Sequence, residues 1–533
     1  MLHEKLLRDP AHLHELMDLL TQSISAELAG HTGEALVLLD RAVTLNPAFV
    51  PAAIRRGDLL LGAERYADAI AAYEDCLRYF PQLEEAAQSR HHALLMAVQH
   101  AGLLLLDQPD DIDLCCRLAQ WQIALGDIDA ALVTLEQALA LAADAPLVLN
   151  LCGVCWLALD RHELALQCYE RILARDANDV LALFNRGNVW QAMGVLQQAM
   201  RSYAQALALQ PDFAEAEVAL GYCLLMQGEY AAGWRHHEAR WRTGLLQGHG
   251  LFPATPAWLG TPALHGRSIV LWAEQGLGDT LQFARYIPAI AAMAQRVTVC
   301  VPPPLLTLLA TLASANVALV SNDKLLETHD FHCPLMSLPL ALQSQLPEIP
   351  TQVSYLQADA ALVAQWAQRL RPSSVLVSTR LKVGLAWAGR QFGVLNRTRD
   401  IALRHLQPLA AMDVELISLQ QQIPASDVDE LARWPALQCF ESAMTDMAQT
   451  AALISQLDLV VSADTAVIHL AAALGKPAWL LLRYESEWRW GWGSSSSCWY
   501  PSVRIFRQQS HGDWPGLSEE VAACLRAAAA ATG

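Results

Sequence analysis

The chain has 533 residues, of which 53% are apolar and 17% charged, so it is long enough for several domains that each bury a hydrophobic core. It contains no run of about 18 uncharged apolar residues, which predicts that it does not span a membrane. The net charge of −18 argues against nucleic acid as a partner, because a phosphate backbone attracts basic surfaces.

The first twenty residues, MLHEKLLRDPAHLHELMDLL, mix charged residues into the apolar positions and contain no small-residue cleavage site. We therefore expect no secretory signal and a cytoplasmic protein. The twelve scattered cysteines fit a reducing compartment, where thiols are mostly buried. Cys152 and Cys155 have a spacing that metal and redox sites also use, but they lie on a predicted helix among core positions, so we predict that they pack.

The N-terminal half of the chain repeats with a period of 34 residues. Small residues recur at this interval, aromatic residues follow several of them by four positions, and prolines close some of the units. The small positions are Ala35, Ala69, Ala131, Ala165, Ala199 and Gly233, and the aromatic ones are Tyr73, Tyr169 and Tyr203. This pattern resembles the tetratricopeptide repeat, in which small residues let two antiparallel helices approach closely.

We predict an α-solenoid domain over residues 1–247, with repeats at 16–49, 50–83, 112–145, 146–179, 180–213 and 214–247. Ala69 and Ala131 are 62 residues apart, six short of two periods, so residues 84–111 are predicted to form a degenerate helical unit. The concave surface of such an array suits an extended protein or peptide. A scaffold or dimerisation arm, and with it a homo-oligomer, is the alternative.

Prolines and glycines in residues 248–267 interrupt the helical pattern and predict a linker. Beyond it, short apolar strands alternate with helical stretches, which is typical of an α/β fold with parallel sheets. A boundary near 371–382 divides this half into lobes at 268–375 and 376–533, the second with a C-terminal helix. The predicted strands are Ser268–Ala273, Val297–Val301, Val383–Trp387, Glu415–Leu419, Asp458–Ser462 and Ala478–Leu482.

The first strand of the first lobe runs into the turn Gln275-Gly276-Leu277-Gly278-Asp279. The glycines permit a tight turn and a close backbone approach, and Asp279 falls at the start of the next helix. A carboxylate at this position can accept a proton from an attacking hydroxyl as a general base, or it can simply cap the helix. We take Asp279 as the candidate base and Gln275, Gly276 and Gly278 as an acceptor-side loop.

A similar strand, turn and helix follow in the second lobe, within Leu457–Pro477. Backbone N–H groups at the start of this helix suit a diphosphate, and Thr465 lies there. Asp464 would repel phosphate, so it fits better as an acceptor for ribose or sugar hydroxyls. His469 lies one helical turn beyond Thr465, where it can face the same cleft or serve as a structural hydrogen-bonding group.

A glycine-containing loop after the strand Val383–Trp387 carries three arginines, Arg390, Arg397 and Arg399. Arginine binds phosphate bidentately and keeps its charge, so we place a nucleotide diphosphate near Gly389, Arg397 and Arg399. The alternative is that these arginines pair with neighbouring acids. Gln420 ends a strand on the same predicted face and is a candidate contact for the base or the ribose.

Four tryptophans, Trp488, Trp490, Trp492 and Trp499, surround a run rich in glycine and serine. Such a segment can act as a lid that stacks on the nucleotide or the acceptor. Packing against the first lobe is the alternative, and the sequence does not distinguish the two.

Together these residues resemble glycosyltransferase family 9, the ADP-heptose:lipopolysaccharide heptosyltransferases, and more closely its bacterial relatives with N-terminal tetratricopeptide repeats. The resemblance spans about residues 250–515. The family's G-x-G-D turn is matched at Gly276–Asp279. Its D-[ST]-x-x-x-H-x-A-A-x-x-G-x-P signature is matched at Asp464, Thr465, His469, Ala471, Ala472, Gly475 and Pro477.

This resemblance implies a GT-B fold of two Rossmann-like lobes and an inverting, metal-independent transfer from a nucleotide-sugar held in the second lobe, with no cofactor. It makes Asp279 the counterpart of the family's proposed base. Asp464, Thr465 and His469 then correspond to the family's donor contacts.

Two features depart from the family pattern. Pro288 follows Asp279 by nine residues rather than about six, and Ala466 replaces a glycine, so we do not carry over ADP-heptose or lipopolysaccharide as substrates. We expect a bacterial glycosyltransferase whose repeats present a protein acceptor, an architecture that resembles the flagellin and O-linked protein glycosyltransferases. The alternatives are a non-catalytic repeat adaptor with a degenerate transferase lobe, and a transferase acting on lipid or polysaccharide.

Overall fold

The computed structural model describes residues 10–80, 83–243, 255–322, 328–342, 354–370, 380–389, 399–485 and 487–532. These residues fall into two compact units. The first comprises the described residues up to Cys223 together with those from His236 to Thr243, and the second comprises Leu224–Arg235 together with those from 255 onward. A short piece of the last predicted repeat therefore belongs to the second unit.

Helices follow one another in pairs along most of the repeat region, which confirms the predicted tetratricopeptide architecture. Their first residues repeat at intervals of 34 from 112 onward, as the sequence period predicts. The helices are α1 (Pro10–Leu28), α2 (Thr32–Leu45), α3 (Val50–Gly62), α4 (Tyr66–Tyr79), α5 (Glu84–Asp107), α6 (Ile112–Leu125), α7 (Ile128–Leu141), α8 (Pro146–Ala158), α9 (His162–Arg175), α10 (Val180–Ala192), α11 (Leu196–Leu209), α12 (Ala214–Met226) and α13 (Tyr230–His237).

The predicted degenerate unit at 84–111 is one continuous helix, α5, of 24 residues. Its buried positions Ala86, Ala93, Leu94, Ala97 and Ala101 are spaced by multiples of about one helical turn, so a single face stays apolar along its length. Because no proline or turn sequence interrupts it, the chain does not fold back here. One long helix replaces a helix pair, which explains the slip in the period.

Close approach between the paired helices depends on glycine. A Cβ atom added at the glycine of three repeats would lie 2.4–2.5 Å from the ring of a tyrosine on the partner helix, far inside van der Waals contact. All three tyrosines are fully buried. The pairs are Gly57 with Tyr73, Gly153 with Tyr169, and Gly187 with Tyr203.

We therefore expect Gly153→Ala to lower the free energy of unfolding of the first unit by about 1–3 kcal/mol, because the added methyl group overpacks the Tyr169 ring. Gly102→Ala is the matched control, since Gly102 lies inside α5 with nothing within 4 Å of the added Cβ. There, alanine should stabilise by about 0.5–1 kcal/mol. Urea unfolding followed by circular dichroism measures both, and equal effects at the two sites would contradict this account.

The second unit contains two all-parallel sheets, which confirms the predicted α/β architecture. The first sheet has the order β3-β2-β1-β4, the start of the strand order found in dinucleotide-binding folds, and the second has the order β6-β5-β7-β8-β9. The strands are β1 (Ser268–Trp272), β2 (Arg296–Val301), β3 (Val317–Ser321), β4 (Phe331–Pro334), β5 (Lys382–Ala386), β6 (Glu415–Ser418), β7 (Leu459–Ala463), β8 (Ala478–Leu482) and β9 (Val503–Arg507).

Helices separate most of these strands, as parallel pairing requires. Trp387, Leu385 and Val461 from the second sheet share one buried core with Leu517 and Val521 of the C-terminal helix. The helices are α14 (Leu277–Phe283), α15 (Ile287–Met293), α16 (Leu306–Leu309), α17 (Leu338–Leu342), α18 (Ala360–Arg369), α19 (Gln407–Ala410), α20 (Val428–Leu431), α21 (Met447–Ser455), α22 (Ala466–Ala473) and α23 (Trp514–Thr532).

Helix α18 lies within the range predicted for the first lobe, yet it contacts α21 beside the second sheet. The Trp366 indole N–H donates to Gln449 Oε1 at 2.9 Å, and the backbone N–H of Leu356 donates to the carbonyl of Ala473. The chain therefore reaches the second sheet before residue 376. The lobe boundary itself stays a prediction.

Nine of the twelve cysteines are buried thiols. Cys152 and Cys155 pack in the apolar core of the repeats, as predicted, and burial raises the pKa of Cys155 to about 11. Such thiols are unreactive at neutral pH. Among the helices of the described ranges, none combines the length with the apolar character that crossing a bilayer would require.

Candidate active site

Asp279 lies in the turn after β1, and both of its carboxylate oxygens have partners. Asp279 Oδ2 accepts a hydrogen bond of 3.0 Å from the backbone N–H of Gly276, the residue before α14. Oδ1 forms an ion pair with Nη2 of Arg489. Asp279 therefore does cap the helix, but half of its carboxylate faces an arginine from a distant part of the chain.

Arg489 lies between β8 and β9 and is almost fully buried, with 9% of its side chain exposed. Its guanidinium pairs with Asp279 and with Glu487, and Nε donates to Gln282 Oε1 at 3.0 Å. It also lies 4.3 Å from the ring centre of Trp488. Both acids, an amide and an aromatic face thus fix the direction in which this guanidinium points.

The turn after β7 brings Asp464 and Thr465 to the start of α22. Thr465 Oγ1 accepts a hydrogen bond of 3.2 Å from the N–H of Val467 and lies 3.2 Å from Ser462 Oγ, so this threonine caps the helix. The Asp464 carboxylate is 13% exposed, and its Oδ1 lies 4.0 Å from Nε2 of His469.

His469 is buried where α14 and α22 meet. Its Nδ1 shares a hydrogen bond of 2.9 Å with the Tyr500 hydroxyl, and a Cβ added at Gly278 would lie 2.9 Å from its Cδ2. Glycine at 278 therefore allows the helix that carries Asp279 to reach His469. Burial, followed by the charges of Arg489 and Arg285, lowers the pKa of His469 well below its usual value, so the imidazole is neutral at neutral pH.

The Asp464 carboxyl lies in surroundings that disfavour its charged form. Burial raises its pKa to about 6, and the negative charge of Glu487 acts in the same direction. Arg489, the Trp490 indole and Arg399 oppose the rise. At neutral pH the group is still mostly ionised, so the folded protein bears the cost of a buried negative charge.

We expect Asp464→Asn to raise the free energy of unfolding of the second unit by roughly 1–3 kcal/mol at pH 8, because the buried charge is removed. The folded-state pKa is above the ordinary value of 3.8, so the penalty is complete above pH 6 and disappears as pH falls toward 4. Thermal unfolding at pH 8, 6 and 4 measures this. The exposed Asp429→Asn should change stability by less than about 0.5 kcal/mol, and a gain for Asp464→Asn that does not depend on pH would contradict the prediction.

Two of the residues predicted for the diphosphate lie together. The Gly389 N–H donates to Asp400 Oδ1 at 2.9 Å, and a Cβ at Gly389 would lie 2.7 Å from Nη2 of Arg399, so glycine makes room for this guanidinium. Arg399 also lies close enough to Asp464 to lower its pKa. Arg397, the third member of the predicted set, lies outside the described residues.

Gln420 lies two residues after β6, an edge strand of the second sheet. Its Oε1 accepts from the N–H groups of Trp387 and Ala388 at 3.1 and 3.3 Å, and its Nε2 donates to the carbonyls of Ala388 and Gln422 at 2.6 and 3.0 Å. These four bonds use the whole amide and favour a role in fixing the loop after β5. A contact with the nucleotide stays a prediction, as do the acceptor-side roles of Gln275 and Gly276, which are exposed.

Tryptophans 488 and 499 are buried against the helix that carries Asp279. Together with Trp234 and Phe283 they form an aromatic cluster, in which Trp234 meets Phe283, Trp488 and Trp499 edge-on at 5.9, 5.2 and 6.2 Å between ring centres. Trp490 is also buried, beside His469. In this structure the segment packs instead of standing open as a lid.

Sequence reasoning missed four residues of this site: Arg489, Glu487, Asp400 and Tyr500. The pairing of Arg489 with Asp279 joins residues 210 positions apart, and no spacing rule connects them. The only signal was local, namely a charged Glu487 and Arg489 embedded among tryptophans, where an unpaired charge would be costly.

Comparison with protein-family models finds matches in both halves of the chain. Residues 437–513 match the model of glycosyltransferase family 9 (heptosyltransferase). Residues 122–183 match one tetratricopeptide-repeat model, and residues 20–89 and 184–233 match another. The matched transferase segment includes Asp464, His469 and Arg489, but not Asp279.

A similar protein is Protein FlbA of Caulobacter vibrioides, which is 25% identical over 531 residues, covering 92% of this chain and 86% of FlbA. Among solved structures, MamA is 16% identical and covers 35% of this chain and 92% of its own, with a TM-score of 0.25. A tetratricopeptide repeat protein from Parabacteroides merdae is 14% identical and covers 43% of this chain and 93% of its own, with a TM-score of 0.28.

Proposed function

We propose that this chain, which combines tetratricopeptide repeats with a glycosyltransferase family 9 domain, transfers a sugar from a nucleotide-sugar to a protein acceptor docked on the repeats. In this proposal the two sheets form the lobes of a GT-B enzyme. Asp279 acts as the general base, and Asp464, Thr465, His469 and the Arg399 loop hold the donor.

The observation that supports this proposal best is the meeting of α14 and α22. Each helix follows the carboxyl end of a parallel strand, β1 or β7, which is where α/β folds bind their ligands. Gly278 and His469 bring the two helix starts into contact, so a carboxylate from the first sheet and donor candidates from the second flank the same point. A transfer reaction needs this arrangement, because the base and the donor must face one acceptor hydroxyl.

The protein acceptor is supported by the repeats, since an array of helix pairs offers an extended surface that a lipid-linked sugar does not require. Transfer without a metal is part of the proposal, because arginines and backbone N–H groups can neutralise a leaving diphosphate. Activity should then be unchanged by EDTA. A cytoplasmic location is supported by the many buried thiols, which are typical of reducing compartments.

The first test is a thermal-shift screen of the purified protein against ADP, UDP, GDP, CMP and their sugars. A ligand that binds only the folded state stabilises it by about 2.7 kcal/mol at one hundred times its dissociation constant. A selective shift identifies the nucleotide and directs the choice of sugar for a transfer assay. If no nucleotide shifts the unfolding of the second unit, the non-catalytic adaptor becomes the better explanation.

The second test concerns the acceptor. Intact-mass analysis of proteins from a strain that lacks this gene should reveal at least one that has lost a sugar, and the purified enzyme with the matching donor should restore the mass. A strain in which only lipopolysaccharide or another polysaccharide is altered would instead indicate a lipid or polysaccharide acceptor.

A further inference from the structure

We propose that Arg489 is the positioning residue for Asp279, so that the base carried by the first sheet is oriented by an arginine that lies between β8 and β9 of the second. This inference rests on the proposed function, because it assumes that Asp279 is the base. It adds a role for a residue outside the motifs by which the family is recognised.

The geometry of the ion pair carries the inference. Arg489 reaches Asp279 Oδ1, while the Gly276 N–H occupies Oδ2, so the plane of the carboxylate is fixed at both ends. The exposed fraction is 9% for the Arg489 side chain and 19% for Asp279. Because little water competes at this depth, the attraction between the two charges is screened less than in a surface salt bridge.

Arg489 is itself prevented from turning away. Gln282, Glu487 and the face of Trp488 hold three sides of the guanidinium. Gln282 lies on the same helix as Asp279, so the arginine binds two side chains of this helix that are about one turn apart.

Other charged or titratable groups lie near this pair. Asp464 and His469 approach from α22, and Arg489 influences the pKa of both. Glu487 competes with Asp279 for the same guanidinium. Among the described residues, Arg399 also influences the pKa of Asp464, Arg285 influences that of His469, and Tyr500 shares a hydrogen bond with His469.

In the reaction step, the acceptor hydroxyl gives its proton to the Asp279 carboxylate while its oxygen attacks the anomeric carbon of the donor. A bond forms between that carbon and the acceptor oxygen, and the bond to the diphosphate oxygen breaks, so the nucleoside diphosphate leaves with the electron pair. Arg489 takes no part in bond making. It holds the Asp279 carboxylate pointed toward the hydroxyl.

The test is the separation of kcat from KM in the full chain. In Arg489→Gln we expect kcat to fall about 100-fold with little change in donor KM, because the carboxylate loses the group that orients it. Arg489→Lys keeps a positive hydrogen-bond donor at this position, so it should recover part of the lost kcat. Arg433→Gln removes an exposed arginine that pairs with Glu430 and should change neither quantity.

A second variant guards against misfolding of Arg489→Gln. Arg489→Lys keeps a positive charge beside Asp279, and thermal unfolding reports whether each variant is folded. An unchanged kcat in a folded Arg489→Gln, or a folded Arg489→Lys that recovers none of the lost kcat, would overturn the proposal.

A double-mutant cycle separates positioning from structural support. If Arg489 acts through Asp279, Arg489→Gln should cost little further activity in the Asp279→Asn background. A full additional loss there would overturn the positioning role. A wild-type protein that transfers no sugar would instead refute the proposed function, so the two failures are distinguishable.

Discussion

Replacement of Asp279 by asparagine should lower the rate of sugar transfer by about 10²–10⁴-fold, the range that a positioned general base contributes. Asparagine has the same shape and can still accept the hydrogen bond from Gly276, but it cannot take a proton. Donor binding should therefore survive. The measurement is single-turnover transfer, accompanied by a thermal-shift titration with the donor nucleotide.

Asp359→Asn is the matched control for the capping role. Asp359 caps α18 through a hydrogen bond of 2.9 Å from the N–H of Leu362, so this change alters a capping carboxylate away from the site. Transfer by this variant should equal that of the wild type. If Asp279→Asn also transfers at the wild-type rate, Asp279 is a helix cap and the base must be another residue.

Replacement of Trp234 by alanine should destabilise the second unit by about 3–5 kcal/mol, the usual cost of truncating a buried tryptophan. Trp234 is 2% exposed and fills the space between Phe283, Trp488 and Trp499. Phe283 ends the helix of Asp279, and Trp488 precedes Arg489, so the loss should also reduce transfer.

Differential scanning calorimetry can test this, because two compact units give separable transitions when their stabilities differ. The transition of the second unit, recognised by its response to the donor nucleotide, should move to lower temperature. Trp234→Phe keeps an aromatic ring in the cluster and should recover most of the stability. A shift confined to the other transition would show that Trp234 does not stabilise the second unit.

Sequence patterns were sufficient for most of the architecture. The 34-residue period located the repeat helices. All six predicted strands agree with the observed ones to within one residue at each end, for example Glu415–Leu419 against the observed Glu415–Ser418. The strands that were not predicted are β3, β4 and β9. All three are at edges of their sheets, where one side faces solvent or loops, so polar residues such as His332 and Arg504 break the apolar run.

The site was predictable only where it follows a local motif. Asp279, Asp464 and His469 could be recognised because each occupies a fixed place in a strand, turn and helix. Arg489 and Trp234 could not, because their roles depend on contacts with residues far away in the sequence. Periodicity also could not reveal that the side-chain amide of Gln420 forms all of its hydrogen bonds with backbone groups, since this depends on the path of the loop after β5.

Leu224–Arg235 belong to the second unit, and this determines where the repeats of one relative can be joined to the second unit of another. An exchange of repeat arrays between relatives would ordinarily be joined at the proline-rich stretch near Pro256 and Pro262. A join there would replace Trp234 and Tyr230 with foreign residues and remove native partners of Phe283 and Cys498. A graft that is to keep the second unit intact should therefore cross over before Leu224, within α12, so that the end of the repeat array is inherited with that unit.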